Sequence, residues 1–255
     1  MEIKIVAIDI DGCLLSREAR GDELLILEKI KNYNRISHVE TKVPAITLCS
    51  GRPAPYVEAL MTLIEGYVPA IFEWGAGVYL PQSYDFLYSD LFTDKVRKVR
   101  QEILNITINA VHHGEISAKI QPGKEVAITL YPQNGVTTGE LYMTLMQQLI
   151  DVDDLGLYDV QVTQTRIDLL PVGIKKELGI LTLANTVQLK PENILGIGDD
   201  ESDIGFLSCV GLSGCPANAR SAVKKIVDYV SPLENGHGVI DIFEHFLGEI
   251  IKGSR

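Results

Sequence analysis

Cysteine is scarce in this chain of 255 residues, and none of the four (Cys13, Cys49, Cys209, Cys215) stands in a CxxC pair. That spacing excludes a zinc ribbon, and a reduced, cytoplasmic protein is expected. No run approaches the roughly 18 apolar residues of a membrane span. The first apolar segment carries Glu2, Lys4 and Asp9, so it is not expected to be a secretion signal. Positive charge is also short: 23 Lys and Arg face 34 Asp and Glu, a net charge of −11. Nucleic acid and anionic membranes are therefore not expected as partners. An anionic ligand would have to be drawn in by a local positive site. What the chain has in quantity is apolar residues, at 46%. That is enough for the core of one large α/β domain or two smaller ones.

Two short acidic clusters lie nearly the whole chain apart, each closing an apolar run. Asp9-Ile10-Asp11-Gly12 follows Ile3–Ile8, and Gly198-Asp199-Asp200-Glu201-Ser202-Asp203 follows Asn193–Ile197. Apolar runs that stop at Gly and Asp read as buried parallel strands entering loops. In open parallel sheets, ligands bind outside the carboxyl ends of the strands. Both clusters should then face one crevice, where so many carboxylates need a cation. Oxygen donors without nearby His or Cys favour Mg²⁺. Either cluster alone reads equally well as a solvated turn capping a helix. The spacing of the first adds something: residues i and i+2 of a strand point the same way, so Asp9 and Asp11 share a side while Ile10 enters the core. Gly12 then permits a tight turn beside a ligand.

Strand-type runs recur at 3–8, 43–49, 68–72, 167–170, 194–197, 210–212 and 226–230, with helical periodicity at 22–31, 53–64, 175–184, 217–225 and 240–250. That alternation predicts an α/β fold with a Rossmann-like, doubly wound parallel sheet. The middle departs from it. A helix over 91–108 is followed by alternating strands at 115–120 and 126–131 around Gln121-Pro122-Gly123-Lys124, then a helix at 141–150 and a strand at 158–163. This predicts an inserted α+β cap domain over 82–163, hinged at Pro81 and Gln164-Thr165, with a core formed by 1–81 and 164–255.

A carboxylate is a competent covalent nucleophile, so Asp9 can attack phosphorus. Asp11 can protonate the leaving alcohol and later take a proton from water. Cys49-Ser50-Gly51-Arg52-Pro53 brings a hydroxyl, a free backbone N–H and a helix start together. That is an anion site, or simply an N-cap. Lys176 follows Gly173-Ile174-Lys175 at the opening of a helix, where a cation is electrostatically misplaced without a partner. A bound phosphate would serve; the plain alternative is a solvated lysine.

Together, Asp9-x-Asp11-Gly12, Ser50-Gly51-Arg52, Gly173-Ile174-x-Lys176 and Gly198-Asp199-x-x-x-Asp203 resemble, in order, the motifs of the haloacid dehalogenase superfamily. The resemblance implies Asp9 as nucleophile and Asp11 as acid/base, with the Asp11 carbonyl also on the metal. It places Ser50, Gly51, Arg52 and Lys176 on the phosphate, Asp199 on Mg²⁺, and Asp203 in support of the metal site. The long stretch between Ser50 and Lys176 puts the cap at the later family site, as in the Cof-type branch. Pro216-Ala217-Asn218-Ala219 and Gly236-His237-Gly238-Val239 match that branch as well, and Asn218 is either a phosphate-side contact or a helix N-cap. Trp74 stands where the branch usually has Asn, and Cys13 where it usually has Thr.

The expected activity is hydrolysis of a small phosphate ester, a sugar or sugar-acid phosphate, through an aspartyl-phosphate. Other readings are a phosphosugar mutase on the same chemistry and a phospho-accepting regulatory domain. In the cap, His112, His113, Glu115, Lys119 and Lys124 are candidates for substrate choice, or else a solvated face; the His pair lacks a third ligand at metal spacing.

Overall fold

The computed structural model describes residues 2–18 and 21–252. The chain begins with β1 (Ile5–Ile8), α1 (Glu23–Val39), β2 (Ala45–Leu48), α2 (Ala54–Leu63), β3 (Ala70–Phe72), β4 (Gly77–Leu80) and β5 (Asp85–Tyr88). Next come α3 (Asp94–His112), β6 (Ala118–Ile120), β7 (Ile128–Pro132), α4 (Thr138–Gln148), β8 (Tyr158–Val162) and β9 (Ile167–Pro171). It ends with α5 (Lys176–Thr186), β10 (Ile194–Ile197), α6 (Ile204–Cys209), β11 (Leu212–Cys215), α7 (Ser221–Lys224), β12 (Tyr229–Val230) and α8 (Asn235–Lys252).

Five strands form a parallel sheet in the order β12-β11-β10-β1-β2. All four residues of β1 are buried, as an unbroken apolar run requires when both faces of a parallel sheet are covered. On one face, Ile5 and Ala7 pack with Ile180 and Leu183 of α5 and Phe206 of α6. On the other, Gly214 lets Ile242 of α8 approach so closely that a Cβ there would stand 2.6 Å from its side chain. β1 lies between β2 and β10, with Ile8 level with Leu48 on one side and Ile197 on the other. That register decides the rest, because the residues following all three strands emerge at one edge of the sheet. The fold is the expected α/β class.

The chain divides into two compact units, one of 1–87 with 175–255 and one of 88–174. The second holds an antiparallel sheet, β6-β7-β9-β8, against which α3 and α4 pack. These limits differ from the expected 82–163, and β9 is the reason. The 167–170 run, expected in the parallel sheet, pairs antiparallel with both β7 and β8. Gln164-Thr165 is no hinge: it is the hairpin turn between β8 and β9, closed by the Thr163 N–H to the Arg166 carbonyl at 2.9 Å and by Thr163 Oγ1 accepting from Thr165 and Arg166. Pro81 likewise lies in the turn between β4 and β5.

Within the second unit, Ile128 and Leu130 of β7 lie level with Leu169 and Ile167 of β9, while Thr129 faces the other way, level with Asp168. Asp168 is 1% exposed. It accepts from Thr129 Oγ1 at 2.6 Å and from Arg166 Nε at 2.7 Å, and Lys124 Nζ donates to Thr129 at 2.7 Å. Lys124, a candidate for substrate choice, is thus a buried member of a structural network, whereas Lys119, Glu115 and His113 are exposed. Asp168→Ala should leave Arg166 and the Thr129–Lys124 pair without their acceptor. Removing one partner of a buried ion pair costs roughly 3–5 kcal/mol, so the urea midpoint should fall markedly, with a smaller drop for Thr129→Val.

Candidate active site

β1 hands the chain to Asp9, whose N–H donates to the Ile197 carbonyl at 2.9 Å. Asp9 is 6% exposed and Ile10 fully buried. Gly12 follows with φ +91°, and a Cβ there would stand 2.6 Å from Asp199 Oδ2. The second acidic cluster folds back on itself after β10: Asp203 Oδ2 accepts from the backbone N–H groups of Asp199 and Asp200 at 2.9 and 3.0 Å. Gly198 makes room, since a Cβ there would lie 2.7 Å from the Asp203 side chain.

Lys176 is the first residue of α5 and is 3% exposed, whereas Lys175 is exposed. Its Nζ donates to Asp9 Oδ1 at 2.7 Å and to Asp203 Oδ1 at 2.5 Å. These carboxylates are the partners that a cation at a helix N-terminus requires. Burial disfavours the charge on Lys176, but Asp203 and Asp9 outweigh it and hold the amine well above its ordinary value.

The three buried carboxylates Asp9, Asp199 and Asp203 bring ligand oxygens within 4.8 Å of one another. Burial pushes the Asp9 carboxyl up, with Lys176 opposing and Asp203 and Asp11 adding to the rise. Burial also raises Asp199, reinforced by Asp9 and Asp203 and opposed by Arg17 and Lys176. Asp199 Oδ1 is buried with no hydrogen-bond partner. An orphaned carboxylate oxygen, a set of oxygen donors and the bare Cα of Gly12 beside them fit a hard divalent cation such as Mg²⁺.

Ser50, at the end of β2, is fully buried; its N–H donates to the Ile71 carbonyl at 3.0 Å and its Oγ accepts from the Arg52 N–H at 3.2 Å. The Arg52 guanidinium forks Asp11: Nε donates to Oδ2 at 2.7 Å and Nη2 to Oδ1. Arg52 also lies over the Tyr56 ring, 4.8 Å from its centroid. Asn218 is not the N-cap of the following helix α7, whose N-cap is Arg220. It is a clasp, donating to the Gly12 carbonyl at 2.7 Å and accepting from the Asn235 N–H at 2.7 Å.

Asp9, Asp11, Ser50, Gly51, Arg52, Lys176, Asp199 and Asp203 thus stand on loops, a short turn and the start of α5 at one edge of the parallel sheet. Sequence reasoning missed Arg17, whose Nη2 reaches Asp200 at 3.1 Å and Asp199 at 3.4 Å. No spacing or periodicity singles out an arginine between Ser16 and Glu18. Cys13 and Cys49 are buried nearby, and burial pushes both thiols up, away from reactive thiolate.

A family model described as haloacid dehalogenase-like hydrolase matches residues 140–243. Over that stretch the chain is similar to the haloacid dehalogenase-like hydrolases. A solved haloacid dehalogenase-like hydrolase from Bacteroides thetaiotaomicron superposes with a TM-score of 0.69 over 96% of this chain and 100% of the other, at 18% identity. A protein of Methanothermobacter thermautotrophicus named phosphoglycolate phosphatase is 24% identical over 96% of this chain and its own full length. Another so named, from Methanospirillum hungatei, is 34% identical, but the match spans only 36% of this chain and 40% of that relative.

Asp203 accepts three hydrogen bonds, from the buried Lys176 ammonium and from the Asp199 and Asp200 amides. Asp203→Ala should therefore cost about 3 kcal/mol or more, because a buried lysine and two amides lose their acceptor together. Chemical denaturation of the variant against the wild type measures it. Asp203→Asn, which keeps one acceptor oxygen, should lose less.

Proposed function

We propose that this protein is a Mg²⁺-dependent phosphomonoester hydrolase acting on a small phosphorylated metabolite, a sugar or small-acid phosphate, through an aspartyl-phosphate. The observation that carries this reading is the buried Lys176 bridging Asp9 and Asp203, with the orphaned Asp199 oxygen beside them. The relative named phosphoglycolate phosphatase supports the inclusion of phosphorylated small acids in this reading.

A carboxylate oxygen of Asp9 attacks phosphorus as the ester P–O bond breaks, and the leaving oxygen takes a proton from Asp11. Water then attacks the aspartyl-phosphate, gives its proton to Asp11, and releases phosphate with Asp9 restored. Asp11 cannot carry the proton while accepting both N–H groups of Arg52, so Arg52 has to let go when substrate enters. The incoming phosphate is the anion that draws it off, because guanidinium forks phosphate as readily as carboxylate. Ser50 and the backbone of Gly51 and Arg52 hold the phosphoryl oxygens, and Lys176 neutralises charge there. Asp9, Asp199 and the Asp11 carbonyl would hold the metal, with Asp203 fixing the loop that carries Asp199. Bound there, Mg²⁺ supplies charge neutralisation for phosphoryl transfer. The 88–174 unit is proposed to choose among substrates.

A screen of phosphorylated metabolites for phosphate release tests the reading, and retention of phosphate on the sugar would mark a mutase instead. Asp9→Asn should drop turnover below about a hundredth of wild type with the fold intact by circular dichroism, because an amide is a poor nucleophile. Activity should vanish in chelator and return with Mg²⁺ but not with Ca²⁺, whose longer bonds and higher coordination number disturb in-line attack. Lys176→Ala should cost about 10²-fold or more in kcat/KM, and Lys175→Ala far less; the reverse order would place the phosphate cation one residue earlier.

A further inference from the structure

The residues just after β3 do something that neither the motifs nor the relatives account for. Glu73, Trp74 and Gly75 have φ of +43°, +57° and +92°, three consecutive residues in the left-handed region. Outside glycine that conformation costs of order 1–3 kcal/mol per residue and persists only where the surroundings impose it. Here they do. The Trp74 N–H donates to the Ser50 carbonyl at 3.0 Å and the Glu73 N–H to the Arg52 carbonyl at 3.0 Å, so the turn is stitched to both ends of Ser50-Gly51-Arg52. On its far side Gly75 packs where a Cβ would stand 2.3 Å from the Lys175 carbonyl and 2.8 Å from the Gly179 nitrogen, at the opening of α5. One strained turn therefore joins the two segments that carry Ser50 and Lys176.

The Trp74 side chain completes the joint. Its indole is 7% exposed. It lies flush on Gly51: a Cβ there would meet Cε2 at 2.5 Å, and Cζ2 and Nε1 at 2.8 Å. The ring thus fills the space that a side chain at position 51 would take and backs the Ser50-Gly51-Arg52 loop.

We propose that Trp74 is a positioning residue for the phosphate loop: its indole, wedged against Gly51, holds Ser50-Gly51-Arg52 in register with Lys176 for an oxyanion. This deepens the hydrolase reading and rests on it for the identity of the ester, but the binding of an anion by the loop is separately measurable. Trp74 is the only tryptophan in the chain, so the intrinsic emission reports on this one contact.

The test is a titration of wild type, Trp74→Ala, Trp74→Phe, Gly51→Ala and the Trp74→Ala/Gly51→Ala double variant with inorganic phosphate in the presence of Mg²⁺, followed by calorimetry. Indole emission is followed where Trp74 remains. Wild-type emission should change saturably with phosphate, and Ser50→Ala should abolish the change. Trp74→Ala should weaken phosphate binding and raise KM by about 10- to 100-fold, the scale for misplacing a binding group by an ångström, with a much smaller effect on kcat. Trp74→Phe, which keeps an aromatic plane against Gly51, should recover most of the affinity. Gly51→Ala should weaken binding when Trp74 is present and add almost nothing in the Trp74→Ala background, the non-additivity expected of residues in contact. A folded Trp74→Ala protein binding phosphate within twofold of wild type, or additive losses in the double variant, would overturn the proposal. Wild type that binds no phosphate would overturn it too. Wild type that shows this coupling yet hydrolyses no ester would remove the hydrolase reading and leave the role of Trp74 standing.

Discussion

One lysine makes the site possible. Asp9, Asp199 and Asp203 are all nearly removed from water, and their charges would repel each other strongly. Two like charges about 4 Å apart at an effective dielectric near 20 interact by about 4 kcal/mol. Lys176 sits between two of them, with its ammonium against Asp9 on one side and Asp203 on the other. Asp203 spends its second oxygen on two backbone amides, so its charge goes into holding the loop that presents Asp199. Compensation stops there, because an Asp199 oxygen is left without a donor. Arg17 approaches Asp199 only from the exposed side. The proposed divalent cation and phosphoryl group would meet the charge that this arrangement leaves unbalanced.

The parallel sheet serves this balance by register alone. β1 is flanked on both sides, so Asp9, Ser50 and Asp199 are delivered by three neighbouring strands without any long loop having to be ordered. Rigidity of this kind is what electrostatic preorganisation needs, since donors that must first move into place stabilise little.

Much of this was legible in the sequence for simple physical reasons. An apolar run that ends in Asp or Gly can hardly be anything but a buried strand meeting a loop, and β1, β2 and β10 are such runs. Lys176 at a helix start announced a missing anion, and the structure supplies carboxylates. The misreadings have equally definite causes. The 167–170 run is as apolar as a parallel strand, but it sits one tight turn after β8 and pairs with it; Asp168 inside the run was the overlooked sign of a half-polar sheet face. Lys124, next to a Pro-Gly turn, looked exposed because turns usually are, while Thr129 and Asp168 draw it inward. Asn218 and Arg17 act across distances of 206 and 182 residues, and no local pattern encodes a partner so remote. The left-handed run at Glu73-Trp74 is invisible for a different reason: neither residue favours that conformation, and only the packing around it enforces it.

The Asn218 clasp has a consequence for how the protein is made. It ties the carbonyl of Gly12 to the amide of Asn235, joining a loop from the beginning of the chain to the first residue of α8. β1 precedes the other described strands, yet its partner β10 is nearly two hundred residues behind. β1 must therefore wait, unpaired along one edge, until β10 has been synthesised. During that wait the contiguous 88–174 stretch can order itself through contacts close in sequence, which form quickly. That edge of the sheet assembles last. A nascent or truncated chain that stops before residue 235 would hold Asp9, Asp199 and Asp203 and still lack the fastening of the Gly12 turn.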